Sequence, residues 1–400
     1  MKRIAILGST GSVGQNTLRV IASLGDKFRV VGLSAYSNAT TLLKQARQFK
    51  PGWICLVDEF CAKRARASLP ASCRLLSGRG GLQDLIQKSR ADAVVLAVSG
   101  AEALMPLFKA VSMKKTVILA NKEALVMAGS IIMPLAARNG VGILPVDSEQ
   151  SAIWQCLENS DKKQLRRVYL TASGGPFKNY NSEQLKSISI SDVLRHPRWN
   201  MGRRITVDSA TLMNKGLEII EAMWLFDVDL SRIEVVIQPE AVVHSMVEFI
   251  DGTILAQLSI ADMRIPIQYA LTYPQRFTNK LKPLDFFKLR NINFQKPNLR
   301  RFPCLRLAID AAREGGSMPC VLNAADEVAV GAFLERRIQF TDIPKTVARI
   351  TGRHKKIDKP SLKEILAVDA WARTEAKKLL GINEGVKKNL LKSLARADFS

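Results

Sequence analysis

Short apolar runs alternating with amphipathic stretches organise the first 147 residues. Runs at residues 4–7, 30–33, 53–57, 93–97, 116–119 and 141–146 are each the length of a buried strand. Helix-like segments separate them, and this alternation predicts a parallel, doubly wound α/β sheet with helices on both faces. From Arg167 the texture changes. A strand-like Val168-Tyr-Leu-Thr171 leads into a Gly/Pro-containing region, and one long helix is expected over residues 208–226. Runs at 242–250 and 253–260 flank Asp251-Gly252, which predicts an antiparallel hairpin. Residues 275–302 are rich in Lys, Arg, Pro and Asn and read as a linker. From Leu305 the periodicity is helical, notably over 322–336 and 362–380, which predicts a small bundle.

The expected organisation is a Rossmann-type domain (1–147), an α+β catalytic and connective domain with an antiparallel-containing sheet (148–274), a linker (275–304), a C-terminal helical bundle (305–380) and a basic extension (381–400). No internal repeat is visible.

Composition narrows the function classes. No run approaches the roughly 18 uninterrupted apolar residues of a membrane span. The N-terminus, Met1-Lys-Arg-Ile-Ala-Ile-Leu-Gly8, enters a strand at once, so no signal peptide is expected. Six cysteines without CxxC or Cys/His spacing read as buried thiols of a reducing compartment, and the expected location is cytoplasmic. The formal net charge is +23. It is spread along the chain, denser at 195–204, 280–301 and the C-terminal tail, and only 6% of residues are aromatic. That pattern points to a solvated basic surface and a small anionic substrate, with no nucleic-acid or membrane partner expected.

The loop Gly8-Ser9-Thr10-Gly11-Ser12-Val13-Gly14 lies between the first strand and a helix expected from Ser12. Its glycines let the backbone approach a pyrophosphate at a helix N-terminus, which predicts dinucleotide binding. The second strand ends in Gly32-Leu-Ser-Ala-Tyr36-Ser37-Asn38, with no acid to meet a ribose 2′-hydroxyl, and this favours NADP(H). Asn121, Lys122 and Glu123 follow another strand at the same sheet edge. Lys122 is a candidate contact to cofactor or substrate, or the three simply start a helix.

Acids are scarce in so basic a chain, which singles out Asp147 and Glu149 in Pro145-Val-Asp-Ser148-Glu-Gln150, and Glu218 in Asn214-Lys215-Gly-Leu-Glu218. Asp147 and Glu149 at a strand end, joined by a third carboxylate from a helix, suit a hard divalent cation such as Mg²⁺ or Mn²⁺. Taken by themselves, the local residues favour a helix cap by Asp147 or Ser148 over a metal site, with the helix beginning near Gln150. Ser173, Ser209, Asn214 and Lys215 are suitable phosphate donors. Asn214, Glu218 and Glu221 fall on one helical stripe opposite apolar Met213, Leu217, Ile220 and Trp224. The loop His196-Pro-Arg-Trp199-Asn-Met201-Gly202 adds a titratable ring and a large aromatic.

Taken together, the glycine loop, Ala120-Asn-Lys-Glu123, Val146-Asp-Ser-Glu-Gln150, Thr171-Ala-Ser-Gly-Gly-Pro-Phe177, His196-Pro-x-Trp199-x-Met-Gly202, Asp208-Ser-Ala-Thr211, Asn214-Lys-Gly-Leu-Glu218 and His244-Ser-Met resemble the 1-deoxy-D-xylulose 5-phosphate reductoisomerases. The resemblance runs from residue 1 to about residue 380. It implies Asp147, Glu149 and Glu218 as metal ligands, with Ser148 beside them on the substrate. It implies Ser173, Ser209, Asn214 and Lys215 at the substrate phosphate, with His196 near it. Trp199 and Met201 would belong to a mobile lid, Lys122 would face substrate and nicotinamide, and His244 and Glu221 would stand behind the ligands. Cofactor contacts would come from Gly8 to Val13, Ser37, Asn38, Asn121, Glu123, Met201 and Gly202.

The implied reaction rearranges 1-deoxy-D-xylulose 5-phosphate by retro-aldol cleavage and re-addition to a branched aldehyde phosphate. NADPH then reduces that aldehyde to 2-C-methyl-D-erythritol 4-phosphate, in isoprenoid synthesis. The family is homodimeric, which implies an interface on the middle domain's sheet. The chain departs from the family pattern at Tyr36-Ser37 and in the extension beyond Leu380.

Overall fold

The computed structural model of the chain describes residues 1–178, 180–194 and 202–382. His196, Trp199, Met201 and residues 383–400 of the expected extension lie outside the described residues.

Seven strands, β1 (Lys2–Leu7), β2 (Phe28–Ala35), β3 (Trp53–Leu56), β4 (Arg74–Ser77), β5 (Ala93–Leu96), β6 (Thr116–Leu119) and β7 (Ile143–Pro145), form one sheet in the order β4-β3-β2-β1-β5-β6-β7. Every pairing in it is parallel. Ile4 and Ile6 of β1 join one apolar cluster, and Ala5 and Leu7 join the other, as the two-residue period of a strand requires. Burial on both faces is why these strands read as continuous apolar runs. The chain winds outward from β1 to β4, returns beside β1 as β5, and winds outward again to β7. The switch point between β1 and β5 leaves a crevice at the carboxyl ends, the usual ligand position in such sheets. β4 was not legible as a strand: Arg-Leu-Leu-Ser at the half-exposed sheet edge offers no apolar run.

A second sheet, in the order β11-β10-β8-β9, comprises β8 (Leu165–Ala172), β9 (Ile233–Ile237), β10 (Val243–Phe249) and β11 (Ile254–Leu258). β10 is antiparallel to β8 and β11, while β8 and β9 are parallel. The expected hairpin is present, with Asp251 accepting from the Thr253 N–H at 2.9 Å across the turn. Leu170, Val247 and Ile237 pack against Ile219 and Phe226 of the helix Met213–Phe226.

The helix expected over 208–226 is in fact two, Arg203–Thr211 and Met213–Phe226. Leu212 between them is left-handed (φ +59). That conformation costs a non-glycine residue about 1 kcal/mol. Leucine is kept because its side chain is buried among the apolar residues under the second sheet. The Thr211 hydroxyl accepts from the Met213 N–H at 3.3 Å, replacing one lost helical bond.

Residues 275–302 contain only the short helix Phe286–Leu289 and a bridge from Gln295 to Ile237. Four helices follow, Pro303–Glu314, Met318–Leu334, Asp342–Thr351 and Leu362–Leu379. Their core is not separate: Val321, Leu322, Phe333, Ile343 and Ile365 share one cluster with Leu107 and Leu125 from the helices over the first sheet. Among the described residues, no helix is long and apolar enough to cross a membrane.

The helix Glu123–Asn139, which follows β6, packs closely on Met213–Phe226. A Cβ on Gly129 would lie 2.3 Å from the Trp224 ring. Gly129→Ala is therefore expected to destabilise the fold by about 1–3 kcal/mol, seen as a lower urea midpoint at unchanged m-value. Gly331→Ala, in a helix where the added methyl meets nothing, should instead stabilise by up to about 1 kcal/mol.

Candidate active site

The carboxyl ends of β1, β6 and β7 and the N-terminal turn of the helix Met213–Phe226 converge on one cleft. Its lining includes Ser12, Val13, Lys122, Asp147, Ser148, Glu149, Ser173, Gly202, Ser209, Asn214, Lys215 and Glu218. Most residues expected from the sequence at metal and substrate are thus brought together.

Two glycines shape the loop after β1. Gly8 has φ +85, and a Cβ on it would lie 2.4 Å from the Ala97 carbonyl oxygen; one on Gly14 would lie 2.3 Å from the Gly8 oxygen. Ser9 is fully buried and donates to the Gln45 side-chain oxygen at 2.7 Å, so its hydroxyl braces the loop. No side chain caps the helix Ser12–Ser23. Its first-turn N–H groups and positive dipole end therefore suit an anion.

Several expected cofactor residues are braced by neighbouring protein groups. Asn38 accepts from the Thr41 N–H at 3.1 Å, capping the helix Ala39–Phe49. Asn121 donates to the carbonyls of Val98 (2.9 Å) and Gly100 (3.1 Å) and accepts from Ala124 N–H, the capping role open at the sequence level. Glu123 accepts from the Gly100 N–H at 3.0 Å and from the Asn121 amide at 2.8 Å. Gly8, Ser9, Thr10, Gly11, Ser37, Asn38, Asn121 and Glu123 lie outside the lining of the cleft itself.

Asp147 stands at the N-cap position of the helix Ser148–Cys156, which begins two residues earlier than the sequence suggested. Its side chain makes no capping hydrogen bond. It pairs with Lys122 instead, so capping does not account for this acid. Asp147, Glu149 and Glu218 each offer an oxygen within 4.8 Å of the others. Lys122 also reaches Glu218 (3.0 Å) and the Asn214 amide oxygen (2.8 Å). Lys215 lies 2.8 Å from Glu149 and also pairs with Glu218. Gln150 donates to the Glu218 carbonyl at 2.9 Å, tying the two helices together behind the acids.

Charge balance decides what this arrangement can hold. Among the described residues, Asp147, Glu149, Glu218 and the buried Glu221 face only Lys122 and Lys215, an excess of two negative charges when all are ionised. Burial, then the Asp147 and Glu149 charges, push the Glu218 carboxyl up to about 7. Burial likewise raises Glu149 and drives Glu221 far up. Asp147, despite the same burial, is drawn down to about 2 by Lys122. Among the described residues, Glu221 Oε2 is buried without a hydrogen-bond partner. Two surplus carboxylate charges in an oxygen-only cluster fit a hard dication.

His244 is buried, with Nε2 3.2 Å from the Ser259 carbonyl oxygen. Burial lowers its ring pKa, so it is neutral beside the cluster. Gln238 and Met263 also line the cleft and carried no signal in the sequence. Gln238 is fully buried and accepts from the Val242 N–H at 3.0 Å, fixing the entry to β10.

Three family models match the chain in order. They are 1-deoxy-D-xylulose 5-phosphate reductoisomerase over residues 4–129, its C-terminal domain over 143–226, and a DXP reductoisomerase C-terminal domain over 258–375. A 1-deoxy-D-xylulose 5-phosphate reductoisomerase of Thermoanaerobacter is 48% identical over 370 residues, covering 92% of this chain and 97% of that protein. A Synechococcus enzyme of the same name is 45% identical, covering 95% and 97%. The solved Zymomonas mobilis enzyme in complex with NADPH superposes with TM-score 0.87 at 37% identity, covering 95% of this chain and 99% of that one. A DOX-P reductoisomerase in complex with NADPH, fosmidomycin and magnesium gives 0.88 at 38%, covering 96% and 99%. With its three family models in sequence and a relative 48% identical over 92% of its length, this chain belongs to the 1-deoxy-D-xylulose 5-phosphate reductoisomerase family.

Proposed function

We propose that the protein converts 1-deoxy-D-xylulose 5-phosphate to 2-C-methyl-D-erythritol 4-phosphate, using NADPH and a divalent cation, Mg²⁺ or Mn²⁺, in the non-mevalonate route to isoprenoids. The observation that carries this reading is the junction itself: three carboxylates within 4.8 Å share a cleft with Ser12 and Val13 on one side and Ser173 and Ser209 on the other. A cation held by Asp147, Glu149 and Glu218 supplies Lewis-acid polarisation of substrate oxygens, and NADPH supplies the hydride.

The chain's own groups orient the substrate. Lys122 Nζ is aimed by Asp147, Glu218 and Asn214, and its ammonium faces the substrate oxygens and the nicotinamide. Ser148, on the first turn beside Asp147, offers a hydroxyl to the same oxygens. Ser173, Ser209, Asn214 and Lys215 hold the phosphate, with His196 beside it and Trp199 closing over the substrate. The loop Gly8–Val13, with Ser37, Asn38, Asn121, Glu123, Met201 and Gly202, holds the NADPH. Anchoring the phosphate away from the reacting carbons contributes positioning free energy.

The division into residues 1–147, 148–274, 275–304 and 305–380 assigns the cofactor to the first unit and the substrate to the second. Six free cysteines, five of them buried, support a cytoplasmic location. A homodimer is supported by β11, a sheet-edge strand on which Ile254 and Leu255 are exposed, with Ile250 exposed nearby. An apolar edge of this kind is an aggregation hazard unless another chain covers it.

Glu218→Gln should lower kcat/KM by about a hundredfold or more. NADPH affinity, read by fluorescence titration, should stay near that of the parent. Ordinary turnover by this variant at millimolar Mg²⁺ would remove Glu218 from the ligand set. EDTA should abolish substrate-dependent NADPH oxidation, and added Mg²⁺ or Mn²⁺ should restore it. Activity that survives chelation would favour a metal-free dehydrogenase. Leu255→Asp should shift the light-scattering mass at micromolar concentration from dimer to monomer, and an unchanged mass would place the interface elsewhere.

A further inference from the structure

A second buried charge cluster lies on the other side of the helix Arg203–Thr211, away from the acids of the cleft. Arg204 Nη1 is 2.7 Å from Glu327 and 3.4 Å from Glu123, and its Nη2 donates to Asn323 at 3.4 Å. Glu327 also accepts from the Ala101 N–H at 3.1 Å and pairs with Arg373 at 2.7 Å. The joint sits directly on Gly100, where a Cβ would come within 2.8 Å of both Arg204 and Glu327. It therefore ties the loop after β5, the start of the helix Glu123–Asn139, the helix Arg203–Thr211 and two C-terminal helices to one point.

Within it, Asp208 and Asp326 are neighbouring carboxyls from two packed helices, 4% and 0% exposed. Among the described residues, no donor reaches Asp208 Oδ1 or either oxygen of Asp326. The surrounding ionisable groups are Arg204 on the same helix, Glu123 from the helix after β6, Glu327 beside Asp326 and Cys304 from the helix Pro303–Glu314, with Arg373 and Asp369 behind Glu327. Two guanidiniums thus serve five carboxyls. Among the described residues, Arg204 Nε, 3.6 Å from Asp208 Oδ2, is the one cation paired with either acid, and two neighbouring buried carboxyls sharing one positive charge cannot both be ionised. Ser209, a phosphate donor of the cleft, is the residue next to Asp208.

We propose that Asp208 and Asp326 share one proton and, with Arg204, act as positioning residues that register Ser209 for the substrate phosphate. The part concerning phosphate rests on the function proposed above; the shared proton stands independently of it. Burial, then mutual repulsion, raises Asp326 well above the ordinary carboxyl range. Burial pushes Asp208 to about 6, against the pull of Arg204. The folded chain therefore binds this proton more tightly than the unfolded chain. The stability it provides is fully present below the ordinary carboxyl pKa and is lost as pH rises through about 6 and beyond.

Asp326→Asn supplies the missing donor permanently at nearly constant size. In thermal melts of the ligand-free protein from about pH 5 to about pH 8, the parent midpoint should fall, Glu149, Glu218 and Glu221 contributing to that fall, and Asp326→Asn should give a measurably shallower slope. At neutral pH this variant should keep the parental KM. Asp326→Ala, which removes the contact, should raise KM for the sugar phosphate about tenfold with kcat within about twofold, and should lose the thermal shift given by inorganic phosphate while keeping that given by NADPH. A parental pH slope in Asp326→Asn overturns the shared proton. A parental KM and phosphate shift in Asp326→Ala overturn the positioning role. Should Asp326→Ala fail to fold, Arg204→Lys takes its place in the kinetic arm, with the same rise in KM expected and a parental KM decisive against the proposal. Absence of turnover by the parent would count against the proposed function alone, since the melts need no substrate.

Discussion

Burying like charge is the constraint around which this molecule is organised. Carboxylates lose hydration on burial, and several in one place repel one another unless positive charge reaches them. Asp147, Glu149, Glu218 and Glu221 accept that penalty at the junction of the two sheets, with Lys122 and Lys215 as their only ionic partners among the described residues. The arrangement lasts because the acids cannot separate. Two come from the turn after β7, two from a helix clamped to the first unit by Trp224 over Gly129, and Gln150 ties those elements together. A rigid frame holding surplus negative charge is what a dication site needs before the ion arrives.

The helix Arg203–Thr211 separates two answers to the same problem. On its cleft side, surplus carboxylate charge is left for a cation. On its far side, Arg204 and Arg373 neutralise Glu327, whose pKa is lowered despite burial. Asp208 and Asp326 are left to settle their repulsion with a proton. The first solution exposes charge to ligands; the second seals it among C-terminal helices that share their core with the first sheet.

Much of this was legible in the chain. Strands buried on both faces announced themselves as apolar runs, and the Asp-Gly turn announced the hairpin. The motif residues Lys122, Asp147, Glu149, Asn214, Lys215 and Glu218 do meet in one cleft. What could not be read had little local signal. β4 owes its state to the neighbouring β3, since two leucines alone do not specify a strand. The break at Leu212 carries no glycine or proline, because tertiary burial holds a leucine where local preference would not. Gln238 and Met263 reach the cleft only through the path of the backbone. Arg204, Asp208 and Asp326 are far apart in sequence or unremarkable within it, and only the docking of the C-terminal helices makes them a unit.

The turn at Leu212 also acts as a ruler. Ser209 lies on one of the helices it joins, and Asn214, Lys215 and Glu218 on the other. The placement of Ser209 relative to Asn214, Lys215 and Glu218 therefore depends on the backbone angles of one residue, while each group keeps its own helix. Resetting that one residue would swing Ser209 against Asn214, Lys215 and Glu218 without changing any side chain on either helix.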